Sequence, residues 1–524
     1  MTKSPLSIHS SQSRAIAFLS NSSNYLPQSV KVERIETHGA YIFLAGKDAF
    51  KMKRAVSFSY MNFSTLDLRY SACKREMELN APHAPEIYKG LKSITEEKDG
   101  SLVFDGEGTP IEWVVHMNRF HEKDLLMHVA SAGPFSNQLS KMIAEMAFSY
   151  HQGTQKSDDH NSASQIQKIV EDVIATLKRM IPFLNEVSLL NLETNLKFYT
   201  TKLSPLLIRR QKEGFVRRCH GDMHLSNIVL IEGKPVLFDA LEFSEEMATI
   251  DVLYDLAFLL MDLDHREQRT SANLILNRYL WLSSDLKDIE GLELLPLFLS
   301  LRAAIRGMVR GHRALQTSGL EQTNLMNVSQ AYIERATTFF KEKPLCLILI
   351  GGLSGSGKST LAAQLAPDCG RSPGALHLRS DLERKRLFTV KEYDQLPQDY
   401  YSEANNERVY LMMLSKAEAA LRSGHSVIAD AVFAKTEERE RMERLANRHK
   451  AQLFTYWLDA PTSVLINRVN ERIHDASDAT AEIVMKQMYY DLGNLTWERI
   501  DVRGTPEQIV FTVKEKMKER LRSL

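Results

Sequence analysis

Gly352-Leu353-Ser354-Gly355-Ser356-Gly357-Lys358-Ser359 fits the spacing GxxxxGK[ST], and each residue type in it has a use in holding a polyphosphate. Glycines let backbone N–H groups wrap phosphates at a helix N-terminus, Lys358 neutralises the β- and γ-phosphates, and the Ser359 hydroxyl reaches a bound Mg2+. Gly352, Gly355, Ser356, Gly357 and Thr360 complete the expected nucleotide cradle. The apolar run Leu347-Ile348-Leu349-Ile350 ahead of the loop and a helical pattern behind it supply the strand–loop–helix setting the motif needs. Arg379-Ser380-Asp381 ends the next strand-like run, where a carboxylate would face the γ-phosphate crevice and orient an acceptor. Asp430 ends a further run on the metal side, and Arg468 and Arg472, four apart on one helix face, could clamp a transferring phosphate. Each has a plainer alternative: a helix cap for Asp381, a strand end for Asp430, a solvated helix face for the arginines.

A second constellation lies earlier in the chain. His220-Gly221-Asp222-Met223-His224-Leu225-Ser226-Asn227 is followed by Phe238-Asp239-Ala240-Leu241-Glu242-Phe243. Phosphoryl transfer to a hydroxyl needs a carboxylate to take its proton and oxygens to hold Mg2+ against the triphosphate. The spacing offers Asp222 as base, Asn227 as one metal ligand and Asp239, beyond a short turn, as the second. The plainer alternative makes the histidines core residues and the acids turn residues.

Elements must position these groups. At 524 residues the chain exceeds one ordinary core. A pattern change near Lys341 to Pro344 suggests two domains, 1–340 and 341–524. In the second, short apolar runs alternate with amphipathic helical stretches, which predicts an α/β fold with a parallel sheet covered on both faces. Thr505-Pro506-Glu507-Gln508 reads as a capping box opening the last helix. The first domain opens with β-like runs and turns helical, interrupted around 219–243 by loop, strand, tight turn and strand. A small β-rich lobe followed by a larger helical lobe is the expectation.

Composition narrows the partners. Lys plus Arg equals Asp plus Glu at 66 each, so no overall field draws nucleic acid or an anionic membrane. The 44% hydrophobic and 25% charged content is that of a soluble globular protein. Four scattered cysteines argue against structural zinc or disulfides. With no apolar run of signal-peptide or membrane-span length, a cytoplasmic protein is expected. Oligomeric state is not legible.

From about 345 to 515 the chain resembles the P-loop kinases of small molecules, such as gluconate kinase, chloramphenicol phosphotransferase and the zeta-toxin kinases. It resembles specifically the AAA branch, whose RSD, DAxF and SDAT segments read here Arg379-Ser380-Asp381, Asp430-Ala431-Val432-Phe433 and Ser477-Asp478-Ala479-Thr480. From about 32 to 261 it resembles the aminoglycoside phosphotransferase and choline kinase family, whose HGDxHxxN and FDxxEF segments are the two stretches quoted above. That likeness implies an α+β protein-kinase-like two-lobed fold ahead of the α/β P-loop NTPase. It implies Asp222 as base, Asn227 and Asp239 on metal with Glu242 beside them, and Asp251 and Asp255 as braces for the loop. It also implies an ATP-anchoring lysine paired with Glu76; Lys51 is favoured over Lys53, which shares its strand face. Only one glycine stands in Thr37-His38-Gly39-Ala40, so the sequence lacks the glycine-rich flap that covers phosphates in protein kinases.

In this order the whole chain resembles the bacterial bifunctional aminoglycoside phosphotransferase/ATP-binding proteins. The implied activity is transfer of phosphate from ATP, with Mg2+, to hydroxyls of small-molecule acceptors at two sites. Two alternatives stay open: a nucleotide-dependent switch making little product, and a toxin-like nucleotide-sugar kinase in the second half. Arg302, Arg306, Arg310, His312 and Arg313 share a helical stretch and would favour an anionic acceptor if they line its site; as a solvated face they say nothing.

Overall fold

Alternation of side chains across a strand decides the first sheet. In Asp48–Lys53, Phe50 and Met52 face a cluster with Phe18, Leu19, Tyr25 and Phe43, while Ala49 faces another with Cys73, Val115, Val229 and Val236. Lys51 and Lys53 share the second face. The computed structural model describes residues 5–25, 31–58, 61–157, 161–472 and 475–522. Its six-stranded antiparallel sheet runs in the order Val32–Glu36, Ala40–Ala45, Asp48–Lys53, Thr109–Asn118, Tyr88–Glu96, Leu102–Phe104. The helix Leu66–Asn80, capped by Thr65, packs against Thr109–Asn118. The tight turn expected after the first loop is a hairpin joining Ile228–Ile231 and Lys234–Leu237. Glu232 and Gly233, at φ of 50° and 77°, supply the two left-handed positions such a turn requires.

The C-terminal sheet is parallel throughout, in the order Leu376–Arg379, Val427–Asp430, Cys346–Gly352, Gln452–Asp459, Glu498–Asp501. Its central strand is buried along its whole length, as a sheet covered on both faces demands. The register sets Arg379 opposite Asp430 and Asp430 opposite Ile350, so the strands deliver these residues to one edge. The strand leading to Asp381 does not neighbour the loop strand, as its place in the sequence suggests, because Val427–Asp430 intervenes. At the last helix, Pro506–Arg522, Gln508 N donates to Thr505 Oγ1 and Thr505 N to Gln508 Oε1, the reciprocal cap expected there.

The chain forms two compact units, and they do not divide at 341. One comprises Met1–Phe135, Ser149–Ser162 and Gln211–Leu259; the other comprises Ser136–Phe148, Ala163–Arg210 and Leu260–Leu524. Side-chain bonds from the helix Arg269–Ser283 to the strand Leu376–Arg379 give the physical reason, since they tie the late helices to the parallel sheet. Among the described residues no helix is long and apolar enough to cross a membrane.

Candidate functional site

In the first unit the loop 219–227 is held from beneath. The buried Asp255 carboxylate accepts His220 N and Gly221 N at 3.0 Å each, and His151 Nε2 lies 3.2 Å from it. Asp251 instead accepts Leu253 N at 2.8 Å at the start of the helix Val252–His265. His220 Nε2 donates to Phe238 O at 2.9 Å, tying the loop to the segment carrying Asp239. Burial lowers the His220 pKa, so the imidazole serves here as a neutral strut. Gly221 stands at φ 83°, where a side chain would be strained and would press on Leu241.

On that support Asn227 Nδ2 donates to Asp222 O and Oδ2, 3.0 Å each. The amide thereby spends its nitrogen on Asp222, and its oxygen is the atom it can offer a hard cation. Asp239, at φ 62°, is fixed through its backbone: its N–H donates to Tyr88 Oη at 3.1 Å, and the next N–H, of Ala240, to Asn80 Oδ1 at 2.8 Å. Lys51 Nζ contacts Glu76 at 2.9 Å and pairs with Asp239; Lys53 contacts Glu76 at 2.5 Å and pairs with Glu242. Burial opposes the charge on Lys51, but Asp239, Glu76 and Glu242 outweigh it and hold its pKa well above the ordinary value. Burial likewise opposes ionisation of Glu76, and Lys51 and Lys53 hold it below the usual carboxylate range. Exposure separates the roles: the side chains of Asp222 and Asp239 are 41% and 38% exposed, that of Glu76 is 0%. The two aspartates can meet a ligand; Glu76 positions the lysines. Hard oxygens from Asn227 and Asp239 suit Mg2+.

In the second unit the loop leaves Cys346–Gly352 and enters the helix Lys358–Leu365. Gly355 sits at φ 86°, and a Cβ there would lie 2.5 Å from Leu465 O, so only glycine fits. Ser354 N donates to Gln487 Oε1 at 2.8 Å, anchoring the loop to the helix Ala481–Gln487. Ser359 Oγ donates to Asp430 Oδ1 at 2.8 Å, and His377 Nε2 is 2.5 Å from Asp430 Oδ2. A serine hydroxyl and a carboxylate side by side make an oxygen donor set fit for Mg2+. Lys358 Nζ donates to Leu353 O at 2.9 Å; burial pushes its pKa down to about 8, against the pull of Asp430 and Asp381 and with Arg472 and Arg379 adding to the fall. Ser356 Oγ is buried with no hydrogen-bond partner among the described residues, an orphaned donor that a phosphate oxygen would satisfy.

The remaining candidates fall unevenly. Asp381 lies in the first turn of the helix Ser380–Leu387, whose N-cap is Arg379, and its charge is felt at Lys358. Thr360 is exposed on the loop helix. Arg468 and Arg472 do not share a helix, because Thr462–Asn470 ends between them. Arg468 donates to Val502 O at 2.7 Å, whereas Arg472 acts on Lys358. Sequence reasoning missed Tyr88, Asn80, His377 and Gln487. For Asn80 a cue existed, since it stands one helical turn after Glu76 and its Nδ2 bonds Glu76 O.

The parallel sheet and its phosphate loop define a P-loop nucleotide-binding domain that follows an α+β region in the chain, and residues 347–490 match a family model, AAA_33, described as an AAA domain. Over 488 residues the chain is 31% identical to the uncharacterized protein Rv2004c of Mycobacterium tuberculosis (strain ATCC 25618 / H37Rv), spanning 91% of this chain and 93% of that one. The chain belongs to the family of that protein. Among solved structures it is similar to a choline/ethanolamine kinase family protein from Mesorhizobium loti (10% identity, TM-score 0.37, 63% of this chain and 98% of that chain). It is also similar to a gluconokinase from Sinorhizobium meliloti 1021 (19% identity, TM-score 0.25, 35% and 98%).

Proposed function

We propose that the protein is an ATP- and Mg2+-dependent phosphotransferase with two nucleotide sites, each passing the γ-phosphate to a hydroxyl of a small-molecule acceptor. The observation that carries it is the set Asp222, Asn227, Asp239 and Lys51, a partly exposed carboxylate beside oxygen ligands and a buried, charged lysine. An ATPase needs a residue to place water; a transferase needs a base within reach of an alcohol, and Asp222 is offered in that way. Asn227 orients Asp222 through its amide nitrogen, and Lys51 carries positive charge to the phosphates while Glu76 holds it in place. Asn227 and Asp239 in the first site, and Ser359 with Asp430 in the second, would hold Mg2+, which neutralises phosphate charge when bound. In the second site Lys358 and Arg472 would meet the phosphates, and Asp381 would orient the acceptor.

The test is direct. Incubation with labelled ATP and a pooled metabolite extract should yield a new phosphorylated compound that Asp222→Asn or Asp381→Asn removes. Hydrolysis or binding alone, with no labelled product, would replace the transferase by a nucleotide-dependent switch.

A further inference from the structure

The edge strand Leu376–Arg379 of the parallel sheet turns unpaired backbone groups outward, as any edge strand does. No further strand covers them among the described residues. Instead the helix Arg269–Ser283 lays two asparagines along the edge. Asn277 Oδ1 accepts His377 N at 2.7 Å and Asn277 Nδ2 donates to Ala375 O at 3.1 Å, the pair of bonds a neighbouring strand would make; Asn273 Nδ2 adds a third, to Ala375 O, at 3.0 Å. Trp281 Nε1 donates to Leu382 O at 3.1 Å and Arg386 to Leu282 O at 2.8 Å, extending the seam to the helix that carries Asp381.

The residue gripped in this way points its side chain at the metal side of the phosphate loop. His377 is paired in register with Ile428, so Asp430 lies two residues on, on the same face of the adjacent strand. The imidazole Nε2 reaches Asp430 Oδ2 at 2.5 Å, with the two side chains 10% and 3% exposed. Because Oδ2 is held there, Oδ1 is presented to Ser359 Oγ. The terminal torsion of an aspartate is otherwise broad, so a carboxylate without this partner swings over a wider range and holds the Ser359 hydroxyl less firmly.

We propose that His377 and Asn277 are positioning residues for the phosphate-loop site: Asn277 fixes the His377 backbone, His377 fixes the Asp430 carboxylate, and Asp430 fixes the Ser359 hydroxyl. The inference rests on the reading of Ser359 and Asp430 as the Mg2+ donors of that site. It assigns to the helix Arg269–Ser283, far from the loop in sequence, a part in metal binding at the loop.

Mn2+ titrated into the full-length protein with saturating ATPγS, followed by electron paramagnetic resonance of the bound ion, tests this. The signal belonging to the site is the part that Lys358→Ala removes. If Lys358→Ala removes none of it, the nucleotide-site reading itself fails. If it removes a part, His377→Ala should raise the Mn2+ concentration for half-occupancy of that part about tenfold, the worth of a lost hydrogen bond to a charged group. His377→Gln, which can place an N–H near the position of Nε2, should restore it to within about threefold. Asn277→Ala should raise it about threefold, and the double variant His377→Ala/Asn277→Ala should show less than the product of the two single effects. Unchanged Mn2+ affinity in both single variants, or no rescue by glutamine, overturns the positioning role while leaving the nucleotide site in place.

Discussion

Asp222 and Asp239 stand on the same support yet are held by different atoms, and that difference separates what their loss should do. Asn227 holds the Asp222 side chain, whereas Tyr88 and Lys51 grip Asp239 at backbone and carboxylate. Asp222→Asn should therefore keep nucleotide binding and lose phosphoryl transfer by a factor of roughly 10² to 10⁴, the usual worth of a positioned base. Single-turnover transfer measured beside ATP affinity checks it. Asp239→Asn should weaken Mg2+-dependent ATP binding as well. Lys358 gives a pH dependence of definite sign. Its folded pKa, about 8, lies below the lysine value, so above that pH the free protein carries a neutral amine. Phosphate favours the charged form, so ATP binding should take up a proton and affinity should fall by up to about tenfold per unit as pH rises through 8. Without nucleotide the same depressed pKa means that Lys358 opposes folding below pH 8 and that this cost fades as pH rises toward the unfolded value. Calorimetry in buffers of different ionisation enthalpy reads the proton uptake. The residues proposed as base and metal ligands could be picked out in the sequence because a few neighbouring residues carry their spacing. Tyr88 and His377 were not: their partners lie 151 and 53 positions away, and a lone tyrosine or histidine announces nothing.

The elements repeat that contrast. The turn residues Glu232-Gly233-Lys234-Pro235 made the hairpin readable, and the residues from Thr505 to Gln508 made the last helix readable, because these signals are local. Strand order was not readable, since no local feature says that Val427–Asp430 inserts between the other two strands. Nor was the end of Thr462–Asn470, which strands Arg472 beyond the helix that holds Arg468. The phosphate loop itself depends on backbone shape. Gly355→Ala would place a side chain at φ 86° and 2.5 Å from Leu465 O, a backbone atom that cannot swing aside. The left-handed geometry alone costs about 1–2 kcal/mol. The variant should lose roughly 2 kcal/mol of stability in denaturant titration, together with nucleotide binding at this site.

At the scale of the molecule the boundary near 341 marks a change of pattern, while the compact units join the late helices to the parallel sheet. Lys141 and Arg278 both reach Glu392, at 2.8 Å each, and Ser372 Oγ donates to Asp264 at 2.7 Å, adding to the bonds of Asn273 and Asn277. A chain begun at residue 344 would uncover the edge of Leu376–Arg379 and leave Glu392 without either cation. It should be cleaved faster by a nonspecific protease than the same residues in the whole protein, and equal rates would show the seam to be without weight. The sequence hid this because the tie is made by asparagine side chains, which composition and periodicity read as helix surface. The seam also bears on how such a chain can be inherited in pieces. Exchange between relatives at 341 would set one lineage's asparagines against another's strand, whereas exchange ahead of Leu260 would carry Asp264, both asparagines and the sheet together, so the join that tolerates shuffling lies well upstream of the one the residue pattern suggests.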